Sequence, residues 1–167
     1  MSASSLKGRT ALVTGGARGC GLAFAQGLAE AGADVATFDA IEPVAAFFEM
    51  EKVYGVKTGH YKVDVSSIES LMKGFQAFTS DFGGRLDICV PCAGINKNLA
   101  FLDTSFEQHS QLLSVNVMGL YYPVQLAAKQ MISNGTKSGN VVLVASIASY
   151  MAIRSQLSSA YCETKGL

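Results

Sequence analysis

Tyr161 and Lys165 stand four apart in the final run of the chain, Tyr161-Cys162-Glu163-Thr164-Lys165-Gly166-Leu167. On a helix that spacing places both side chains on one face, one turn from each other. An ammonium group beside a phenol favours the phenolate and lowers a pKa that is ordinarily ~10. Such a pair could serve as a general acid and base for proton transfer to a carbonyl oxygen.

A second constellation opens the chain. Thr14 to Gly21 reads TGGARGCG, with Gly15, Gly19 and Gly21 framing Arg18 and Cys20. Glycines in such a turn let backbone approach a pyrophosphate, and a following helix offers free N–H groups and the positive end of its dipole. Asp39 follows Gly15 by 24 residues. A carboxylate there can accept hydrogen bonds from an adenosine ribose and would repel a 2′-phosphate, which favours NAD. Arg18 in the turn keeps NADP open.

These residues need elements to hold them. The apolar runs predict strands at Thr10–Thr14, Asp34–Asp39, Gly59–Val63, Leu86–Val90 and Asn140–Ala145. Between them lie helical patterns from Cys20 to Ala31 (Leu22, Ala25, Leu28 and Ala29 on one face), Pro43 to Tyr54, and Ser66 to Phe82. The last of these has Ile68, Leu71, Met72, Phe75 and Phe78 on one side, and Ser66 with Glu69 as a capping box. A long, heavily apolar helix is expected from Phe106 to Ser133, and a final one from near Ser158. Alternating strands and helices predict an α/β fold: a doubly wound, Rossmann-type parallel sheet of about five strands.

The bulk numbers agree with one domain over residues 1–167. The chain is 49% hydrophobic and 16% charged, with 13 basic and 13 acidic residues. This excludes a disordered polymer, and the balance gives no nucleic-acid surface. The run Met1 to Gly8 has no secretory apolar core, and no uncharged run is long enough for a bilayer. Cys20, Cys89, Cys92 and Cys162 have no framework spacing. Cys89 and Cys92 form a C-x-x-C, which can mark a redox or metal site, but no second pair or nearby His supports a metal. Four reduced thiols and a cytoplasmic location are expected.

Taken together, the chain resembles the classical short-chain dehydrogenase/reductase family. The resemblance rests on the glycine turn, Asp64-Val65 after the third strand, Cys92-Ala93-Gly94 after the fourth, Asn116 in the long helix, Ser146 after the fifth, and Tyr161 with Lys165. Tyr54-Gly55-Val56, Tyr121-Tyr122 and the loop at Gln156 look like the fungal sorbose reductases and arabinitol dehydrogenases. The resemblance implies hydride transfer between a nicotinamide and a small carbonyl or alcohol substrate, with NAD, or possible NADP, as cofactor. In that scheme Tyr161 is the acid/base, and Lys165 lowers its pKa and binds the nicotinamide ribose. Ser146 polarises the substrate carbonyl. Asn116 kinks its helix and holds a water. Asp64 and Val65 meet the adenine, and Ala93 and Gly94 pass close to its ribose. A homo-oligomer is possible through the long helix and the helix of Tyr161. His60 and His109 are expected to be non-catalytic.

Two departures stand out. Cys92 occupies the place of the family's Asn, and Cys is a weak donor. The chain also ends at Leu167, so C-terminal truncation is expected, just after the Tyr161 helix begins. That predicts a fraying helix end at Lys165 and an apolar edge on the fifth strand. Besides an active oxidoreductase, the sequence leaves open a catalytically dead nucleotide-binding or interaction module, or no function at all.

Overall fold

The structure is a computed structural model that describes residues 5–151 and 156–166. Residues 1–4, at the start of the segment read for a leader, and Leu167 lie outside the described residues. Five parallel strands form one sheet in the order β3-β2-β1-β4-β5. They are β1 (Thr10–Thr14), β2 (Asp34–Asp39), β3 (Thr58–Lys62), β4 (Ile88–Pro91) and β5 (Asn140–Val141). The fold class read from the sequence is the one observed.

The period-two alternation of the strands builds two cores. Leu12, Ala36, Phe38 and Cys89 point to one face, where α4 (Ile68–Asp81) and α6 (Gly119–Ser133) cover them with Leu71, Phe75, Phe78, Ala127 and Met131. Ala11, Val13, Val35, Ile88 and Val90 point to the other, against Leu22, Ala25 and Ala29 of α1 (Gly19–Glu30). At the N-terminal end of the sheet, buried Asp87 accepts from the Thr10 N–H at 2.9 Å and from the Arg85 fork at 2.7 and 3.0 Å. Burial opposes the Asp87 charge, but Arg85 and the Thr10 N–H together hold its carboxyl below the usual carboxylate range.

Several expectations need correction. The helix expected over 43–54 is two short ones, α2 (Ala45–Phe48) and α3 (Met50–Tyr54). Only Phe47 and Met50 are buried there, so packing supports two separate turns and leaves Phe48 and Val53 to solvent. The cap of α4 is Ser67, which accepts from the Ser70 N–H; Ser66 is drawn instead into a turn with Asp64. Ile68 and Met72 face outward, while Gly74 lies inward against Val63 and Phe38.

The long helix is interrupted. α5 (Phe106–Leu113) passes through a π-turn (Ser114–Met118) before α6 begins. Its start carries a reciprocal box between Ser105 and Gln108. β5 pairs only at Asn140 and Val141, although the Val142 N–H still donates to Cys89 O at 2.9 Å. Val141, Val142 and Leu143 are exposed, so the apolar edge expected there is present among the described residues. The final helix, α7 (Ser159–Gly166), carries Tyr161 and Lys165. Among the described residues, no helix is long and apolar enough to cross a membrane.

Candidate active site and dinucleotide cavity

The strand order reverses at β1: the chain runs outward to β3 and then crosses to β4 on the other side. In doubly wound sheets the crevice beyond the carboxyl ends of those strands is where ligands bind. A cavity of about 540 Å³ lies there. Gly15, Arg18, Gly19, Cys20, Gly21, Asp39, Asp64, Val65, Cys92, Ala93 and Gly94 all line it, whereas Tyr161 and Lys165, also read from the sequence as cofactor-binding, are not among its lining residues. Ile41, Ser66, Ile95, Gln111 and Val115 also line it, and the motif reading missed them. They sit beside motif positions and on α5 and the π-turn, where no local signal marks them.

The glycine turn is closed by backbone contacts. A Cβ on Gly15, whose φ is +71°, would lie 2.7 Å from Ala93 Cα. One on Gly21 would lie 2.0 Å from Gly15 O. Thr14 accepts the Ala93 N–H at 3.1 Å, fixing the loop after β4 to the end of β1. Arg18 is the N-cap of α1 but its side chain makes no cap, and no acidic residue occupies the first turn. The leading N–H groups of α1 therefore face the cavity without a protein anion, which is the donor set a phosphate needs. Asp39 accepts from the Ala17 N–H at 3.0 Å and the Ile41 N–H at 3.3 Å. Asp64 Oδ1 holds the backbone and hydroxyl of Ser66. Val65 is buried under Gly119, where an added Cβ would meet Val65 Cγ2 at 2.6 Å. Glycine backbone, uncapped N–H groups and two carboxylates fit a dinucleotide.

Asn116 sits at the middle of the π-turn and is 2% exposed. Its Oδ1 accepts the Ile95 N–H at 2.8 Å, and its Nδ2 donates to Ile95 O and Thr164 Oγ1, each at 2.9 Å. The side chain thus ties the cavity loop to α7. Thr164, buried inside the Tyr161–Lys165 turn, also donates to Tyr161 O at 2.8 Å. Nothing in the sequence singled it out.

Lys165 Nζ donates to Val144 O at 3.1 Å and stands 6.0 Å from the centre of the Tyr161 ring. Burial pushes the Lys165 pKa down, partly opposed by the Cys92 sulfur. An added Cβ on Gly94 would lie 3.8 Å from Nζ, so the ammonium adjoins the cavity loop. The helix end is better tied than expected: the Lys165 carbonyl accepts a short bond from Ser149 Oγ. Ser146 caps the following turn, its Oγ accepting from the Ala148 N–H at 3.2 Å, and does not line the cavity. Among the described residues, its hydroxyl donates to no acceptor. His60 shares a hydrogen bond with Thr37 at 3.0 Å, and His109 pairs with Glu163 at 2.7 Å.

A family model described as short chain dehydrogenase matches residues 9–166. The NADP-dependent dehydrogenase clz5 of Cochliobolus lunatus is 33% identical, over 96% of this chain and 61% of its own length. The sorbose reductase SOU1 of Candida albicans is 32% identical, over 96% of this chain and 57% of its own. A crystal structure of a short-chain type dehydrogenase/reductase from Mycobacterium marinum superposes with a TM-score of 0.90 at 31% identity, covering 97% of this chain and 63% of that one. The chain belongs to the short-chain dehydrogenase family. It spans about three fifths of the length of these relatives. The family resemblance stated from the motifs is borne out, and sorbose reductases are among the relatives.

Proposed function

We propose that the protein is an NAD(P)-dependent oxidoreductase that interconverts a secondary alcohol and a ketone, with polyols and ketoses as the substrate class. The observation that carries this reading is the junction at Gly94. There the cavity of glycine turn, Asp39 and Asp64 meets the Lys165 ammonium and the helix of Tyr161. The nicotinamide cofactor, when bound, supplies the hydride. Gly15, Gly19 and Gly21 give its phosphates room, the N–H groups at Cys20 and beyond donate to them, and Asp39 and Asp64 hold the adenosine end.

Tyr161 hands a proton to the substrate oxygen in reduction and takes it back in oxidation. Lys165, held by Val144 O, keeps positive charge beside the phenol. Ser146 donates a hydrogen bond to the same oxygen and polarises the carbonyl. Asn116 acts as a positioning residue, since both of its amide hydrogens are already used. Asp39 favours the unphosphorylated cofactor, and exposed Arg18 leaves NADP usable. That clz5 bears an NADP-dependent name supports the second option, and the SOU1 name supports the substrate class.

The test is turnover of NAD(P)H with sorbose and related ketoses, with Tyr161→Phe as control. The proposal expects a loss of about 10²-fold or more in kcat with dinucleotide binding retained. An unchanged rate in Tyr161→Phe would remove the assignment of Tyr161. Binding of NADH without turnover of any ketose or polyol would replace the enzyme by a binding module.

A further inference from the structure

The fold sorts the four cysteines in a way their spacing conceals. Cys89 and Cys92 are a C-x-x-C in sequence, yet they lie on opposite faces of the sheet. Cys89 packs among Leu12, Phe38 and Leu86, while Cys92 packs against the cluster of Ala11, Val13 and Val90. The sheet separates them, and burial pushes the Cys89 thiol up to about 12. Cys162 shares a weak contact with Ser158.

Cys92 shares its cavity with Cys20, not with Cys89. Both line the dinucleotide cavity, Cys20 exposed at the start of α1 and Cys92 half-buried after β4. The segments that carry them form one wall. A Cβ on Gly21, the residue after Cys20, would meet Gly15 O at 2.0 Å, and one on Gly15 would meet the Cys92 carbonyl carbon at 3.2 Å. Burial first, then charge on Cys20, raises the Cys92 thiol; the Lys165 ammonium works in the other direction.

We propose that Cys20 and Cys92 form a reversible disulfide across the wall of this cavity and thereby close it to a dinucleotide. The closure rests on the cofactor reading above; the crosslink does not. The oxidant is a small-molecule disulfide such as oxidised glutathione. The exposed Cys20 thiolate attacks one sulfur, the glutathione S–S bond breaks, and one glutathione thiolate leaves. Cys92 loses its proton to solvent and attacks the Cys20 sulfur of the mixed disulfide, releasing the second glutathione. Two protein thiols are oxidised and one glutathione disulfide is reduced to two thiols. The bond would hold the two sulfurs about 2 Å apart and lay the crosslink over the cavity wall where the cofactor would lie.

The experiment treats the chain with oxidised glutathione, maps linked peptides by mass spectrometry, and titrates NADH before and after dithiothreitol. The expected result is a Cys20–Cys92 linked pair, two hydrogens lighter, with NADH binding weakened at least about tenfold and restored by reductant. In Cys20→Ser, oxidation should leave the affinity as it was in that variant before treatment. If the reduced protein binds NADH and no Cys20–Cys92 peptide forms, or it forms with binding unchanged, the proposal is overturned. If the linked pair forms in a protein that never binds a dinucleotide, the closure and the cofactor reading fail together and only the crosslink stands.

Discussion

Replacing Asn116 with Ala removes a side chain that joins three segments. It deletes three hydrogen bonds, to Ile95 N, Ile95 O and Thr164 Oγ1, at a residue 2% exposed to solvent. A typical intramolecular hydrogen bond contributes about 1 kcal/mol net, and the Ile95 groups left without partners add desolvation cost, so the expected loss is about 3–4 kcal/mol. For a domain of this size that is a fall of about 6–16 °C in melting temperature. Urea unfolding followed by circular dichroism reads the loss directly, with the slope against denaturant unchanged if only the folded state is affected. Thr164→Val cuts one of the three bonds together with the Thr164 bond to Tyr161 O, and should cost about 2 kcal/mol. A loss below about 1 kcal/mol for Asn116→Ala would refute the idea that this side chain fastens the cavity loop to α7.

Three further outcomes follow from the same geometry. Gly21→Ala places a carbon 2.0 Å from Gly15 O, so NADH titration should show binding reduced beyond detection; an unchanged Kd would mean that the turn can open. Asp39→Ser removes the charge that repels a 2′-phosphate, and the ratio of NADPH to NADH affinity should rise at least about tenfold in paired titrations. His60 has a pKa lowered from 6.5, chiefly by burial, against the opposing pull of the Ile41 carbonyl, Glu42 and Asp39. The unfolded chain therefore takes up this proton first as pH falls below 6.5, and stability declines from there down to the folded value. His60→Gln should flatten the melting-temperature profile over that window and leave it unaltered above; an equally steep profile would exclude His60 as its source.

How much was legible depended on whether a signal is local. β1, β2 and β4 were readable because each carries a short apolar run bounded by turn residues, and the glycine turn because its residues are consecutive. Asp39, Asp64 and Cys92 to Gly94 follow strand ends, so the topology itself delivers them to one cavity. The split of α2 from α3 and the choice of Ser67 over Ser66 as cap were not readable. Both depend on which side chains reach the core, which the pattern of types alone leaves undetermined. β5 ends early because pairing needs a neighbour, and Leu143 looks as strand-like in sequence as Val141. Thr164 was passed over since its role exists only through Asn116, 48 residues away. The C-x-x-C was rightly discounted, and the fold supplies a reason that spacing could not: Cys92 lies just past the strand end, with its side chain on the opposite side of the sheet from Cys89.

The π-turn at Ser114–Met118 makes the length of its helix a quantity that cannot drift. Each helical residue turns the chain by about 100° and advances it 1.5 Å. Deleting one residue there would restore a regular helix and swing everything after it by that angle. Pro123, Ala127 and Met131 would leave the sheet they now cover, and Asn116 would turn away from Ile95. In this segment an ideal helix would be the damaged form, and one-residue gaps between relatives should be found in the loops at either end of it, not within it.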